Sequence, residues 1–423
     1  MRTPVVAVAG TFDTKGAEYA YLRSCLVEQG VKPLLIDVGV LGDSDLEPDV
    51  PAAEVARRGG SELADIRFAV EGSGTRAVAL ETMAKGLAVV LTELARDGAC
   101  DAIIGLGGSG GTTVVSHAMR ELPLGFPKVL VSTLASGNVS EIVGGRDITL
   151  MYSVTDIAGL NRFSTQILAN AAHAVAGMAN GAAAARARSL EHSRPLVALT
   201  MFGITTRAVL GIRQRLEASG FDVIVFHATG SGGRAMERMI AEGEIDGLID
   251  CTLAELCSEA FGGIFSAGPQ RLTNAGIRGV PQVVVPGSIE VLNFGARHTV
   301  PAHLDVPERK LIVHNPHVCA VKASADELTH LGRVVADRLS HAVGPTAVVL
   351  PLRGLDAYEA LDGPWHDPAT DAVLFNAIRE NLRQDIALVE VDAHINDDAF
   401  AERCVEVFKG LWQDAQVRKE AAQ

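Results

Sequence analysis

The chain has 423 residues, of which 48% are hydrophobic and 21% are charged, and its formal net charge is −14. This length predicts about two to three globular domains, and the negative charge argues against a nucleic-acid partner. The six cysteines form no C-x-x-C pair and no apolar stretch reaches the roughly 20 residues of a membrane span, so we expect a cytoplasmic protein with reduced cysteines and no membrane partner.

Short β-branched runs alternate with longer helical patterns, which is typical of α/β units around parallel sheets. In the first half, this alternation predicts strands at 5–9, 31–38, 102–106, 128–132 and 148–154, and helices at 16–29, 76–97, 114–120 and 163–178. In the second half, the same order of elements begins again, with strands at 196–202, 221–227, 247–251, 280–285, 311–314, 347–350 and 387–391, and helices at 208–219, 235–242, 325–341, 371–383 and 398–409.

This repetition predicts two Rossmann-like domains, each with a doubly wound parallel sheet and both of similar topology. We expect the first domain at residues 1–182 and the second at 196–415, joined by a linker at 183–195. The strand at 311–314 is the expected counterpart of the strand at 148–154. The polar tail after Gln413 is expected to fray.

The loop after the first predicted strand carries hydroxyl groups, a carboxylate and an ammonium just before a helix. These groups belong to Thr11, Asp13, Thr14 and Lys15. Asp13 is a candidate Mg²⁺ ligand and Lys15 a candidate partner for phosphate oxygens. Alternatively, Asp13 or Thr14 caps the helix.

The most informative stretch is Gly105-Leu-Gly-Gly-Ser-Gly-Gly-Thr-Thr113, which follows an apolar strand and opens a helix. Unpaired backbone N–H groups at such a helix start bind anions, most often phosphate. Glycine also permits positive φ and close approach to a ligand. A tight turn without a ligand is the alternative. The candidate phosphate-binding residues are Gly107, Gly108, Ser109, Gly110, Gly111, Thr112 and Thr113.

Two nucleotide motifs fit this stretch poorly. The spacing of Gly105, Gly107 and Gly110 matches the dinucleotide fingerprint, but the stretch does not follow the first strand and the next strand ends without an acidic residue. No lysine precedes Thr112, as a P-loop requires. The sequence therefore predicts a phosphate cradle for an unspecified nucleotide and disfavours a dinucleotide-dependent dehydrogenase.

The remaining candidates also follow predicted strands. Thr133 and Ser136 offer hydroxyls to a polar ligand, or lie in a plain surface turn. A second glycine-rich stretch is either a second anion loop or a simple helix entry. Candidate acid–base or catalytic residues lie in the C-terminal loops, although polar side chains are common in loops. The second loop comprises Gly230, Ser231, Gly232, Gly233 and Arg234, and the catalytic candidates are His394, Asp397 and Arg353.

Three motifs in combination resemble an uncharacterised bacterial and fungal family that also forms the N-terminal ATP-binding half of a plant tobamovirus-resistance protein. They are Gly10-Thr-Phe-Asp-Thr-Lys-Gly16, Leu106-Gly-Gly-Ser-Gly-Gly-Thr-Thr113 and Pro286-Gly-Ser-Ile-Glu-Val-Leu-Asn-Phe294. The resemblance covers almost the whole chain. It implies a two-domain Rossmann-like fold, binding of ATP with Mg²⁺ at the first two motifs, and a homo-oligomer. It supplies no established catalytic residue.

Two functions remain open at this point. The first is an ATP-binding protein whose nucleotide stabilises a dimer or partner complex, because the phosphate loop lacks the usual catalytic lysine and arginine. The second is a metabolic enzyme acting on a small phosphorylated or carboxylated substrate between the two domains. It rests on the polar groups at strand ends and on analogy between folds.

Overall fold

A computed structural model describes residues 2–73, 76–187 and 194–421 of the chain. The chain divides into two compact units, Met1–Glu191 and His192–Gln423. Of the predicted linker, residues 183–187 belong to a helix that continues to Ala187, and residues 188–193 lie outside the described residues.

The first unit is built on a five-stranded parallel sheet in the order β2-β1-β3-β4-β5. The order reverses at β1, which has β2 on one side and β3 on the other. The elements are β1 (Val5–Gly10), α1 (Phe12–Glu28), β2 (Lys32–Asp37), α2 (Ala52–Arg58), α3 (Leu63–Ser73), α4 (Arg76–Arg96), β3 (Ala102–Gly107), α5 (Ser109–Arg120), β4 (Lys128–Ser132), α6 (Ser140–Val143), β5 (Thr149–Tyr152) and α7 (Arg162–Ala187).

Helices cover both faces of this sheet, which explains the continuous apolar runs in its central strands. Along β3, Ile103 packs into the core beneath α4 and α5, and the next residue, Ile104, packs into the core beneath α1 and α7. Every residue of β3 is buried. The loop that follows β3 therefore starts from a rigid position.

The second unit repeats this plan with a six-stranded parallel sheet in the order β14-β13-β9-β8-β6-β7. Its elements are β6 (Leu196–Met201), α8 (Thr206–Ala218), β7 (Asp222–His227), α9 (Ser231–Glu242), β8 (Gly247–Asp250), α10 (Ala254–Phe261), α11 (Asn274–Arg278), β9 (Gln282–Val284), β10 (Val291–Phe294), β11 (Leu311–Asn315), β12 (Val318–Lys322), α12 (Ala325–Leu339), β13 (Thr346–Pro351), α13 (Pro368–Asn381), β14 (Ala387–Val391) and α14 (Asp398–Ala421).

The two sheets share their order from β2 to β5 and from β7 to β13, so the predicted pair of doubly wound α/β domains is confirmed. One strand assignment was wrong. β11 does not join the parallel sheet as the counterpart of β5, because a tight turn folds it antiparallel onto β12 in a separate sheet, β10-β12-β11. β13 takes the place beside β9 instead.

The final helix is also longer than predicted. The residues after Gln413 continue α14 to Ala421 rather than fraying. Within the described residues, no helix combines the length and apolar character that crossing a bilayer requires.

Candidate functional site

A cavity of about 240 Å³ lies where the loops after β1, β2 and β3 meet. This is the point at which the strand order reverses, where open α/β sheets characteristically bind ligands. The loop after β1 contributes Thr11, Asp13, Thr14 and Lys15, and the loop after β3 contributes residues 108–111. Two motifs that are far apart in the sequence thus line one cavity.

The glycine-rich loop presents the start of α5 to this cavity. Helix α5 begins at Ser109, and its N-cap residue, Gly108, provides no side-chain cap. The N–H groups of Ser109, Gly110 and Gly111 lie in the first turn and have no intrahelical acceptor. They are therefore available to an anion at the positive end of the helix.

The loop glycines have ordinary backbone angles, and close packing requires glycine at Gly107. None of Gly107, Gly108, Gly110 and Gly111 has a positive φ. The loop therefore does not use the positive φ that its glycines would permit. A Cβ on Gly107 would lie 2.8 Å from the Cα atom of Gly111, so only glycine allows this strand and helix to approach so closely. Gly110 has more room, with its nearest neighbours 3.5 Å away.

The two threonines after the glycines face away from this cavity. The Thr112 hydroxyl is buried and lies 2.7 Å from the hydroxyl of Ser132. The Thr113 hydroxyl donates to the carbonyl oxygen of Ser109 at 2.9 Å. Both residues line a second cavity of about 430 Å³, which lies farther along α4 and α5. Thr112 and Thr113 therefore do not line the cavity that residues 108–111 line.

The loop after β4 lies beside the glycine loop without lining the cavity. The Thr133 N–H group donates to the carbonyl oxygen of Gly107 at 3.3 Å, and its hydroxyl lies 3.9 Å from the position of a Cβ on Gly108. Ser136 is exposed and belongs to neither cavity of this unit.

The loop after β1 is held by bonds to other segments. The Asp13 Oδ2 atom accepts a hydrogen bond from the N–H of Leu41 at 2.7 Å, and Oδ1 is buried with no partner among the described residues. The Lys15 ammonium donates to the carbonyl oxygen of Ile157. The N-cap of α1, Thr11, makes no side-chain cap bond. Asp13 thus ties two loops together and keeps one oxygen for a further ligand.

Tyr19 joins the ends of β1 and β3 beneath the cavity. Its hydroxyl lies 2.9 Å from the Ala9 carbonyl oxygen and 2.7 Å from that of Leu106, and it accepts from the Leu106 N–H group. Burial raises the pKa of Tyr19 above its ordinary value. A Cβ on Gly10 would overlap the tyrosine ring, which explains the glycine at this position.

Two charged residues beside the cavity were missed by the sequence analysis. Arg76, the first residue of α4, lines the cavity, and its Nη2 atom lies 3.5 Å from the position of a Cβ on Gly110. Asp37 is buried at the end of β2 and accepts from the N–H groups of Phe12 and Gly39 at 3.1 and 2.9 Å. Burial, with the charge of Asp13, raises the pKa of Asp37.

In the second unit, the corresponding glycine loop already holds an anionic group of the protein itself. The Glu255 Oε1 atom accepts from the N–H groups of Gly230 and Gly233 at 2.6 and 3.0 Å. A Cβ on Gly233 would overlap this carboxylate, and one on Gly232 would lie 2.0 Å from the His227 carbonyl oxygen. Two N–H groups of the predicted second anion loop therefore already bind an internal carboxylate.

A buried arginine completes this arrangement. Arg271 donates through Nε to Glu255 at 2.6 Å and through Nη2 to Asp250 at 2.7 Å. The two remaining candidates of the second glycine loop, Ser231 and Arg234, do not contact Glu255 through a hydrogen bond among the described residues. Ser231 is the first residue of α9, and Arg234 donates to the Ser266 carbonyl oxygen at 2.6 Å.

The three catalytic candidates of the C-terminal loops, Arg353, His394 and Asp397, line one cavity of about 1130 Å³ in the second unit. Each is already bonded. The His394 Nε2 atom lies 2.8 Å from the Asp356 carbonyl oxygen, and its Nδ1 accepts from the N–H of Asn396, so the bonding assigns the proton to Nε2. Asp397 accepts from the His394 N–H group.

Arg353 pairs through two hydrogen bonds of 2.7 Å with Asp392, outside the core. Both nitrogens of His394 are engaged as well, so in this arrangement these side chains connect the loops after β13 and β14.

A buried charged cluster lies next to this cavity and was not predicted. It consists of four carboxyl groups and one lysine: Glu290, Asp356, Glu359, Asp371 and Lys322. The Lys322 ammonium lies 2.5 Å from Glu359 and 3.9 Å from Asp371. Burial raises the pKa of Asp356 to about 6 and that of Asp371 to about 8, with the charge of Glu359 adding to both.

Two family models together match nearly all of the chain. The N-terminal domain of the uncharacterised protein family UPF0261 matches residues 4–184, and its C-terminal domain matches residues 194–412. The chain belongs to the UPF0261 family. The motifs Gly10–Gly16 and Leu106–Thr113 lie in the N-terminal domain of that family, and Pro286–Phe294 lies in its C-terminal domain.

Relatives at the level of sequence include other UPF0261 proteins and a tomato protein. The UPF0261 protein of Clostridium tetani is 42% identical over 397 residues, which are 94% of this chain and 96% of its own. That of Rhizobium meliloti is 40% identical over 96% of this chain and 98% of its own. The ToMV resistance protein Tm-1(GCR237) of Solanum lycopersicum is 34% identical over 79% of this chain and 44% of its own length.

Likenesses to solved structures are remote. A UDP-N-acetylglucosamine 2-epimerase from Rickettsia bellii has a TM-score of 0.21 and 10% identity, over 98% of this chain and 96% of that chain. The E. coli ADP-heptose lps heptosyltransferase II has a TM-score of 0.20 and 9% identity, over 98% and 100%. At these scores the likeness carries no functional argument for a UPF0261 protein.

Proposed function

We propose that the first unit binds ATP together with Mg²⁺ in the cavity between the β1 and β3 loops, with the phosphates at the start of α5. One observation carries this proposal. The first-turn N–H groups of Ser109, Gly110 and Gly111 and the guanidinium group of Arg76 border the same cavity at the strand-order reversal. A positive helix end and an arginine together suit a polyphosphate.

The comparison between the two glycine loops supports this assignment. In the second unit, the start of α9 is neutralised by the carboxylate of Glu255. In the first unit, no side chain among the described residues accepts a hydrogen bond from the N–H groups of Ser109, Gly110 or Gly111 at the start of α5. The same kind of turn thus accepts an anionic group from the protein in one unit and is free to accept one from a ligand in the other.

The size of the cavity limits which part of the nucleotide it holds. Its volume of about 240 Å³ is below the roughly 300–1,000 Å³ of pockets that enclose whole drug-sized ligands. We therefore assign the cavity to the polyphosphate, and the nucleoside to the surface outside it.

Asp13 fits a role in holding the metal ion. Its Oδ1 atom is buried without a hydrogen-bond partner among the described residues, while Oδ2 is fixed by Leu41. Mg²⁺ is commonly held by one or two carboxylates together with phosphate oxygens and water, so one oriented carboxylate oxygen is sufficient. The bound ion would neutralise phosphate charge beside Asp13 and Asp37.

The proposed role is binding with slow or no turnover. Lys15, which among the described residues is the only lysine that lines this cavity, donates to the Ile157 carbonyl oxygen, so its ammonium is not placed to stabilise a transferring phosphoryl group. We propose a cytoplasmic homo-oligomer in which the nucleotide stabilises assembly, in keeping with the family resemblance.

Titration calorimetry of the full chain tests the proposal. Mg-ATP is expected to release or absorb heat with one site per chain, and to raise the unfolding free energy by about 2.7 kcal/mol at one hundred times the Kd. AMP, which lacks the polyphosphate, is expected to bind more weakly. A folded sample that gives no heat and no stabilisation with Mg-ATP contradicts the proposal.

A further inference from the structure

The larger cavity, that of the second unit, has the features of a ligand site of its own. Its volume is about 1130 Å³, and three loops that follow the parallel strands β6, β13 and β14 line it. Ligand sites in parallel sheets lie beyond these carboxyl ends. The residues that line this cavity belong to the second unit, whereas those of the proposed nucleotide site belong to the first.

We propose that this cavity binds a small organic acid, that is, a carboxylate with an apolar body, and that Arg207 contacts the carboxylate. Arg207 is exposed in the first turn of α8, and its guanidinium has no hydrogen-bond or ion-pair partner among the described residues. In a chain with a net charge of −14, an arginine without a carboxylate partner at a cavity is a distinctive anion receptor.

A second arginine of the lining has an unused donor. Arg353 binds Asp392 through Nε and Nη2, which leaves Nη1. His366 donates from Nδ1 to the Glu359 carbonyl oxygen at 3.1 Å, so the Nε2 atom of the neutral ring is an acceptor and adds nothing to anion binding. In the part of the chain that the structure describes, Asp397 is the one acidic residue that lines the cavity, and its carboxylate accepts a hydrogen bond from the His394 N–H group. The lining therefore favours a single negative charge.

The walls explain why the ligand needs an apolar body. Leu210 and Leu361 line the cavity, and 52% and 79% of their surfaces are exposed. Ile204 and Leu352 extend the apolar lining. Each methylene group that such walls bury strengthens binding by about fourfold. A bare inorganic anion would leave these side chains in water.

The buried charged cluster anchors one of the segments that line the cavity. The segment 352–368 contributes to its lining, and two points on that segment are fixed by Lys322: the carboxylate of Glu359 at 2.5 Å and the carbonyl oxygen of Trp365 at 2.7 Å. Trp365 itself is buried, in an apolar cluster that includes Ile204 of the cavity lining. A preformed site of this kind loses little affinity to ordering of the loop.

Hexanoate titrated into the full chain by calorimetry tests the proposal. We expect hexanoate to bind more tightly than butanoate by about fourfold per methylene group, and more tightly than hexan-1-ol or inorganic phosphate. Mg-ATP should not compete. In a Trp412→Phe background, where Trp365 is the remaining tryptophan, hexanoate should also change the fluorescence of Trp365.

Matched variants of α8 separate a binding role from a structural one. Arg207→Gln should weaken hexanoate binding about tenfold to one-hundredfold, the loss expected for a hydrogen bond between charged groups. Arg213→Gln changes an exposed arginine of the same helix that pairs with Glu217 and should leave affinity unchanged. Thermal melts of both variants should match the wild type.

Three results overturn the proposal. The first is hexanoate binding no tighter than hexan-1-ol, and the second is equal affinity of the Arg207→Gln and wild-type proteins. The third is a cavity covered by a second copy of the chain. In that case Leu361→Ser would dissociate an oligomer in sedimentation, and the wild type would bind no hexanoate.

Discussion

The guanidinium group of Arg76 reaches the glycine-rich turn, where its Nη2 atom lies 3.5 Å from the position that a Cβ on Gly110 would occupy. The two residues belong to different helices, α4 and α5, and both line the cavity of the first unit. A negatively charged group at the start of α5 would therefore contact main-chain N–H groups and a guanidinium at once.

Replacing Arg76 with glutamine is expected to raise the Kd for Mg-ATP about tenfold or more, because a hydrogen bond to a charged group is lost. Arg76 is exposed, so the free energy of unfolding should change little. Arg96→Gln, at the other end of the same helix, is the control and should bind normally. Calorimetry that gives the same Kd for both variants would remove Arg76 from the site.

Gly110→Val is expected to obstruct the phosphate position. A single Cβ fits, with neighbours at 3.5 Å, but the added methyl groups of valine would extend into the cavity. Gly110→Ala should therefore bind ATP more tightly than Gly110→Val. Gly177→Val, in open space on α7, controls for valine in a helix. Unchanged nucleotide affinity of Gly110→Val would show that phosphate does not lie at this turn.

The Asp13→Asn variant distinguishes a role of Asp13 in binding Mg²⁺ from a role in linking two loops. Asparagine keeps an oxygen for the Leu41 N–H group but loses the charge that attracts Mg²⁺. We expect the affinity for ATP to become nearly independent of Mg²⁺ in this variant, as measured by titrations with and without EDTA. If the metal dependence of the variant equals that of the wild type, Asp13 acts only as a link between loops.

The turns of the candidate site could be predicted from the sequence, whereas the arginine beside them could not. The turns that carry Thr11–Lys15 and Gly108–Gly111 can be read from a short stretch of sequence, because strand, turn and helix follow one another directly. The doubly wound fold was predicted from the same alternation of strands and helices. Arg76 was missed because its approach to Gly110 depends on how α4 packs against α5. Nothing in the local pattern of residues distinguishes it from other arginines at helix starts.

The second glycine loop shows a different limit of sequence analysis. Its composition resembles the first loop, yet the anion it binds is Glu255, which follows the next strand in the chain. An acidic residue at that place is a usable signal, because the carboxyl ends of parallel strands share one edge of the sheet, where one strand, β6, lies between β7 and β8. The strand at 311–314 was misassigned because a hairpin and a parallel strand share the same apolar pattern.

Glu255→Ala is expected to destabilise the second unit by about 3–5 kcal/mol, since it leaves Arg271 short of one partner and two N–H groups unsatisfied. Urea unfolding measures the change. Glu259→Ala, an exposed position on α10, serves as the control. A loss below about 1 kcal/mol, within the range of exposed ion pairs, would show that the buried network contributes little.

The buried charged cluster predicts an unusual dependence of stability on pH. Burial raises the pKa of Asp356 from 3.8 to about 6. Between these values the folded chain keeps a proton that the unfolded chain has lost, so the free energy of unfolding falls as pH rises, by up to about 3 kcal/mol. The pKa of Asp371, raised to about 8, continues the fall to higher pH.

Asp356→Asn should flatten this profile. The variant keeps an oxygen for the N–H of Tyr358 and removes a negative charge beside Glu290 and Glu359. It should therefore be more stable than the wild type above pH 6 in urea unfolding. Wild-type stability that rises steadily from pH 5 to pH 8, with a less stable Asp356→Asn protein throughout, would contradict this explanation.

A crystal structure of the chain with Mg-ATP tests the central claim most directly. We expect polyphosphate oxygens within about 2.7–3.2 Å of the backbone nitrogens of Ser109, Gly110 and Gly111, the range of N–H···O hydrogen bonds, with Arg76 on the outer phosphate. Nucleotide bound elsewhere, with the start of α5 closed by the chain's own side chains, would contradict the account.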